Sequence, residues 1–314
     1  MRTLRTVTLN TGYDDYFTVG DTVWGGVSPM DAFSSVCSGK GISCARAAVA
    51  LGVPTVAYAL VGTDDEKDYS GRLTAEGIAH RLVTVPGATR HNLTLIDAAG
   101  EKVAAHFVAQ GFTLSGPADV RPLVDALLAD VQPGDIVTLN GSTPTGLPAT
   151  TWADLARSVL ERGAEVVVDA QKDALVAALD VPGLLAFKPN DDEILAIPEV
   201  AAAPQEDRVA VALEVLRRAG VRLPMVSLGA RGVAYVPDPH GVAEYGSLPV
   251  ERAIQSVMAG DSFVAGLAWG RLASDEPRQW LRHALASAAA HVEGRAGSAL
   301  RERAQLNLPA ARLP

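Results

Sequence analysis

The chain has 314 residues, 48% of them apolar and 20% charged, enough for one large buried core or two modest ones. A formal net charge of −9 repels phosphate backbones and, with only 5% aromatic residues, argues against a nucleic-acid binder, although a local basic pocket is compatible with it. No stretch reaches the ~18 consecutive apolar residues of a membrane span, Met1 to Asn10 is too polar for a signal-peptide core, and Cys37 and Cys44 fit neither a C-x-x-C metal pattern nor a disulfide framework, so a cytoplasmic protein without structural zinc is expected.

Short β-branched runs alternate with longer alanine- and leucine-rich amphipathic segments, the pattern of βαβ units around a parallel sheet. The fold class is therefore α/β. In chain order the pattern predicts a strand at Thr3–Leu9, a helix at Gly41–Leu51, a strand at Thr55–Leu60 and a helix at Asp119–Asp130. Then come a strand at Ile136–Leu139, a helix at Ala149–Arg162, strands at Glu165–Asp169 and Leu185–Lys188, and a helix at Asp207–Ala219. A strand at Met225–Leu228 and helices at Ser262–Leu272 and Arg278–Glu293 complete the series.

Two stretches break the alternation. Asp15–Asp31 and Arg90–Val108 carry period-two residues around turn signals, the second pairing Asn92–Ile96 with Lys102–Val108 across Asp97-Ala98-Ala99-Gly100. They read as antiparallel strands outside the main sheet. An inserted hairpin that cannot bury both faces acts as a lid, a dimerisation surface, or both. No Gly-, Pro- or Ser-rich linker, internal repeat or low-complexity run divides the chain. One domain over 1–314 is expected, with lid strands from about 12–33 and 90–109.

Two helix starts carry chemistry. In Ser256-Val257-Met258-Ala259-Gly260-Asp261-Ser262-Phe263, small residues and an acid lead into an apolar-periodic helix. The free amides and dipole of such a start favour an anion, and Asp261 could take a proton from a hydroxyl held nearby. Alternatively, Asp261 only caps the helix. Ser38-Gly39-Lys40-Gly41-Ile42-Ser43 opens another helix with permissive glycines and a lysine. A solvated lysine is the plain alternative there, although the helix dipole disfavours a cation at that end. Neither a Walker-A motif nor a Gly-x-Gly-x-x-Gly turn after the first strand is present.

Together these elements resemble the PfkB, or ribokinase-like, sugar kinase family, in its 1-phosphofructokinase and tagatose-6-phosphate kinase branch. Thr6-Val7-Thr8-Leu9-Asn10 followed by Asp14 resembles the branch's opening strand, Gly39-Lys40-Gly41 its first glycine signature and Ala259-Gly260-Asp261-Ser262-Phe263 its second. Thr89-Arg90-His91-Asn92, Gly141-Ser142-Thr143-Pro144-Thr145-Gly146, Lys188-Pro189-Asn190-Asp191-Asp192-Glu193 and Ser227-Leu228-Gly229-Ala230-Arg231-Gly232 are similar to further elements in the same order. The resemblance implies a ribokinase-like three-layer fold with a mostly parallel sheet and a small β lid, and ATP- and Mg²⁺-dependent phosphorylation of a sugar phosphate. It implies Asp261 as base, amides of Met258, Ala259, Gly260 and Asp261 as anion hole, and Asp14 on sugar hydroxyls. Gly39, Lys40, Ser43, Arg90, Asn92 and Ser142 would line the sugar-phosphate side. Asn190, Ser227, Gly229 and Gly232 would meet the nucleotide, with Glu193 reaching Mg²⁺ through water. Asn190 and Glu193 alone would read as a capping box, and Ser227 to Gly232 as a strand end and turn. A homodimer through the lid is expected.

Four positions depart from the family pattern. Met258 stands where a glycine is expected, Ser43 where an asparagine is, Thr11-Gly12 replaces Pro-Ala, and Asp169-Ala170-Gln171-Lys172 lacks the Ser-Gly. They keep two rival readings open: a sugar-phosphate-binding protein with little kinase activity, and a kinase of an unphosphorylated sugar or nucleoside.

Overall fold

The computed structural model describes residues 2–20, 25–97, 103–238 and 241–314. The first half runs β1 (Leu4–Thr8), β2 (Gly12–Val19), β3 (Met30–Ser38), α1 (Lys40–Leu51), β4 (Thr55–Gly62), α2 (Glu66–Ala75), β5 (Ala79–Val85), β6 (Arg90–Asp97), β7 (Val103–Phe107), α3 (Arg121–Asp130), β8 (Ile136–Asn140) and α4 (Thr151–Leu160). The second runs β9 (Glu165–Asp169), α5 (Lys172–Ala178), β10 (Ala186–Phe187), α6 (Pro198–Ala202), α7 (Arg208–Arg218), β11 (Leu223–Ser227), β12 (Val233–Tyr235), β13 (Glu244–Gly246), α8 (Ala259–Ala273), α9 (Pro277–Val292) and α10 (Ser298–Asn307).

Nine strands form one sheet in the order β13-β12-β11-β10-β9-β8-β1-β4-β5. From β5 to β11 every pair is parallel, and β12 and β13 close one edge antiparallel. Both faces are buried, which is why the strands read as near-continuous apolar runs. In β9, Val166 and Val168 join the core under α3, α4 and α7, while Val167 faces the opposite core with Phe263 of α8 and Trp280 of α9. This is the expected three-layer α/β fold. No helix among the described residues is long and apolar enough to cross a membrane.

The chain leaves β1 toward β4 and β5 on one side and returns through β8 on the other. In open α/β sheets a crevice forms at the carboxyl ends of strands beside such a reversal. Thr8, Asn140 and Asp169, the last residues of β1, β8 and β9, stand there. Each leaves a buried side-chain oxygen without a hydrogen-bond partner.

A second sheet has the order β3-β2-β6-β7. The hairpins β2–β3 and β6–β7 are antiparallel as expected, but β2 and β6 pair in parallel, with Asp14 opposite Asn92. The expectation of purely antiparallel strands is thus corrected. The cause is the main sheet: β2 follows β1 and β6 follows β5, and since β1, β4 and β5 are parallel, both strands leave at the carboxyl ends in the same direction. The expected turn at Asp97-Ala98-Ala99-Gly100 lies, at residues 98–100, outside the described residues, as do residues 21–24 of the first lid stretch.

Candidate active site

Asp169 ends β9 and is buried, as is Lys188, just after β10. The Lys188 ammonium lies 3.4 Å from Asp169 Oδ1, and Lys40 Nζ, from the first turn of α1, lies 3.1 Å from the same oxygen. Burial opposes the Asp169 charge, but Lys188 and Lys40 outweigh it and hold the carboxyl below its usual range. Lys40 also reaches Glu193 Oε1 at 3.3 Å. Burial opposes its charge too, yet Asp169 and Glu193 raise its pKa well above the ordinary lysine value. The solvated-lysine alternative is therefore set aside, since Lys40 is ion-paired with Asp169 and Glu193, which offset the unfavourable helix dipole.

Asp261 projects from the first turn of α8 into this cluster. Burial first, then the neighbouring Asp169 charge, push its carboxyl up to about 8, with Lys40 and Lys188 acting the other way. The residue at the cap position of α8 is Met258, whose side chain makes no capping hydrogen bond, and Asp261 lies within the first turn. Asp261 is thus not the N-cap residue itself. Of the four amides expected to form an anion hole, those of Ala259 and Asp261 already donate to the carbonyls of Ser256 and Met258 at 3.3 and 3.1 Å. Among the described residues, the amides of Met258 and Gly260 donate to no backbone carbonyl.

The two helix starts differ in backbone. Gly39 precedes α1 at φ 123°, where a Cβ would lie 2.8 Å from Thr8 Cγ2. Met258 precedes α8 at φ 65°, and Lys172, first residue of α5, has φ 54°. These two are the non-glycine residues with positive φ among the described residues.

Asn190 Oδ1 accepts the amides of Asp192 and Glu193 at 3.0 and 2.7 Å, and Glu193 Oε2 accepts the amide of Asn190 at 3.0 Å. This is the reciprocal geometry of a capping box, and it aims Glu193 Oε1 at Lys40 and at the Gln171 amide, 2.8 Å away. Protein donors already occupy both carboxylate oxygens. Among the described residues no group of three or more His, Cys, Asp or Glu side chains could hold a metal ion. Such a donor set suits Mg²⁺ only as an outer contact, the ion's remaining ligands being waters and phosphate oxygens.

On the small sheet, Asn92 Nδ2 donates to Asp14 Oδ1 at 2.8 Å, and Asn92 Oδ1 accepts the Ala109 amide. The Arg90 guanidinium donates to the carbonyls of Thr11, Ala109 and Asn10 at 3.2, 3.0 and 3.3 Å. Burial lowers its pKa, and among the described residues no carboxylate is hydrogen-bonded to it. Five N–H donors on guanidinium leave two beyond these carbonyls. Ser142 Oγ accepts from Asn10 Nδ2 at 3.1 Å. Farther along the sheet edge, Ser227 donates its amide and hydroxyl to Pro189 O. Gly229 opens on free space, whereas at Gly232 a Cβ would meet Gly246 O at 2.1 Å.

Lys40, Ser43, Asp261, Met258 and Glu193 thus converge, with Asp14 close enough to bias Asp261. Sequence reasoning did not assign roles to Asp169, Lys188, Asn10 or Gln171. The signal for Asp169 was a carboxylate directly after Val166-Val167-Val168, at the end of a core strand. A groove of 760 Å³ between α3 and α4, lined by Val120, Val124, Pro148 and Leu155 among others, contains none of these groups.

The pfkB family carbohydrate kinase profile matches residues 16–302. The chain is 31% identical over 292 residues to 1-phosphofructokinase of Escherichia coli K12, spanning 93% of this chain and 91% of that one. It is 28% identical over 302 residues to 1-phosphofructokinase of Vibrio cholerae, spanning 96% and 93%. Phosphofructokinase-2 from Escherichia coli, solved in complex with substrates and products, superposes with a TM-score of 0.87 at 25% identity over 98% of this chain and 99% of that one. Arabidopsis thaliana ribokinase, complexed with ribose and ATP, shares the fold with a TM-score of 0.73 at 19% identity over 98% and 99%.

Proposed function

This chain belongs to the pfkB family of carbohydrate kinases, and on that premise we propose that it transfers a phosphoryl group from ATP to a hydroxyl of a sugar phosphate of the fructose 1-phosphate or tagatose 6-phosphate type. The observation that carries this reading is Asp261: a buried carboxyl, pushed up to about 8, beside two lysines and at a helix start with two uncommitted amides. A carboxylate poised near working pH takes a hydroxyl proton efficiently. Asp261 accepts that proton, the sugar oxygen bonds to the terminal phosphorus, and ADP leaves with the electrons of the broken bond. Lys40 and Lys188 offset charge developing on the transferred group, and the amides of Met258 and Gly260 receive its oxygens.

Asp14, held by Asn92, fits sugar hydroxyls, and Ser142 lies on the same side. Arg90, its charge unmatched by any hydrogen-bonded acid, supplies charge-assisted bonds to the phosphate already on the sugar. Asn190, Ser227 and the open turn at Gly229 fit the nucleotide, with Gly232 fixing that turn. Mg²⁺, when bound, neutralises phosphate charge, with Glu193 acting through water. The small sheet covers the sugar side as a lid of one kinase domain. Its half-exposed Met30, Phe33 and Phe107 favour pairing with a second copy, which light scattering showing only monomer at micromolar concentration would overturn.

The test is coupled ADP release with fructose 1-phosphate, fructose 6-phosphate, tagatose 6-phosphate, ribose and adenosine. The highest kcat/KM is expected on fructose 1-phosphate or tagatose 6-phosphate, and release only with ribose or adenosine would overturn the sugar-phosphate assignment. Arg90→Ala sharpens it: loss of a charged hydrogen bond, about 1.5–3 kcal/mol, should raise KM for the phosphorylated acceptor far more than for its unphosphorylated counterpart.

A further inference from the structure

Two residues that depart from the family pattern touch each other. Ser43, buried in the first turn of α1, donates its hydroxyl to the Met258 thioether at 3.2 Å, across 215 positions of sequence. Met258 starts α8, three positions before Asp261. The sulfur therefore bridges the turn that carries Lys40 to the turn that carries Asp261. The lengths of the two side chains are complementary. Asparagine at 43 would reach one bond farther, with two more heavy atoms, toward the place the sulfur holds, and glycine at 258 would leave that place open. Methionine, unbranched and polarisable, is suited to fill such a gap.

Resting on the kinase reading above, we propose that Ser43 and Met258 form one specificity-determining unit, in which the thioether takes over the volume of a longer polar arm and walls the acceptor pocket beside the reacting hydroxyl. The sulfur is a weak acceptor, and the Ser43 proton is committed to it. This side of the pocket thus offers the sugar a polarisable apolar surface in place of amide donors. It favours a sugar phosphate that turns a C–H face toward the seam between α1 and α8.

A double-mutant cycle tests the unit with fructose 1-phosphate at saturating ATP: wild type, Ser43→Asn, Met258→Gly and the double variant. Ser43→Asn alone should raise KM at least about tenfold and lower Tm, and adding Met258→Gly should return KM to within about threefold of wild type. Ser43→Asn effects on KM and Tm that are the same, within about twofold, with and without Met258→Gly would overturn the proposal. If Ser43→Asn alone is insoluble, a soluble double variant supports the unit and an equally insoluble one overturns it. Should the wild type phosphorylate no sugar phosphate, the kinase reading fails by itself. The cycle in Tm then still decides the pair: a Ser43→Asn loss relieved by Met258→Gly supports the contact, and an unrelieved loss overturns it.

Discussion

The first turns of α1 and α8 face one another across the cluster and solve the same backbone problem differently. Both follow a residue of positive φ. Before α1 the residue is glycine, and the turn packs on Thr8 so closely that a side chain has no room. Before α8 it is methionine, in the left-handed region, where an L-residue costs about 1–2 kcal/mol. The α1 turn is thus relaxed and fixed by packing, whereas the α8 turn is strained and held by what surrounds it. Strain of this kind persists where neighbouring structure over-determines the backbone, commonly at functional sites. Here the turn that carries strain is also the one that carries the buried Asp261.

The largest expected effect removes the chemistry of the strained turn without changing its shape. Asp261→Asn should lower kcat on the best acceptor by about 10²–10⁴, the usual range for a lost general base, with ATP affinity nearly unchanged. A variant with near-wild-type kcat would refute the assigned role. The same substitution separates activity from stability through pH. The folded protein holds a proton on Asp261 that the unfolded chain, with the ordinary value of 3.8, releases, so this group's contribution to stability is lost as pH rises toward about 8. Asp261→Asn should therefore gain in Tm over wild type as pH rises from about 4 to about 8 and level off beyond, while wild-type kcat/KM climbs over the upper part of that window. A Tm difference independent of pH would remove the buried-carboxylate explanation.

Next in size is the relaxed turn. Gly39→Ala forces a side chain into a glycine-only conformation and against Thr8, and should cost about 1–3 kcal/mol in chemical denaturation. A neutral result would mean that α1 can shift on β1, and the contrast between the two starts would collapse. The smallest effect concerns the third start, at Lys172. Lys172→Gly relieves the left-handed strain but adds unfolded-chain entropy, for a net gain of about 0.5–1 kcal/mol. A drop in Tm would mean that the lysine side chain itself stabilises the turn.

What the sequence reveals follows from where each signal resides. Core strands flanking the site were legible to within a few residues because β-branched runs buried on both faces have no competing reading: Glu165–Asp169 is the same span in pattern and structure. Helix α2 escaped notice because it buries only Tyr69 and Leu73 in an otherwise polar stretch, and α10 for the same reason. Strand β5 lies at the sheet edge with mixed burial, and β12 and β13 have three residues each, too short for periodicity. At the site, Lys40 and Asp261 are marked by glycines at helix starts, a local signal. Asp169 and Lys188 are ordinary charged residues in sequence, and only the side-by-side packing of β9 and β10 makes them an ion pair. Arg90 was legible as a cation but not as the group that ties Asn10, Thr11 and Ala109 together, because carbonyl partners leave no trace in side-chain pattern.

The parallel pairing of β2 with β6 bears on how the chain reaches its native state. Asp14 and Asn92, hydrogen-bonded neighbours, are 78 positions apart, and the intervening chain contributes β4 and β5 to the other sheet and, between its strands, helices α1 and α2. Each hairpin can close locally, but joining them means closing a loop whose entropy is met only once those inner elements are docked. The small sheet is therefore the last part of this region to assemble and the first to separate. Pulse-labelled hydrogen exchange during refolding should protect the amides of β1 and β4 before those where β2 and β6 pair. Asp14 and Arg90 stand on those two strands, so they should join the cluster at Lys40 and Asp261 late in folding.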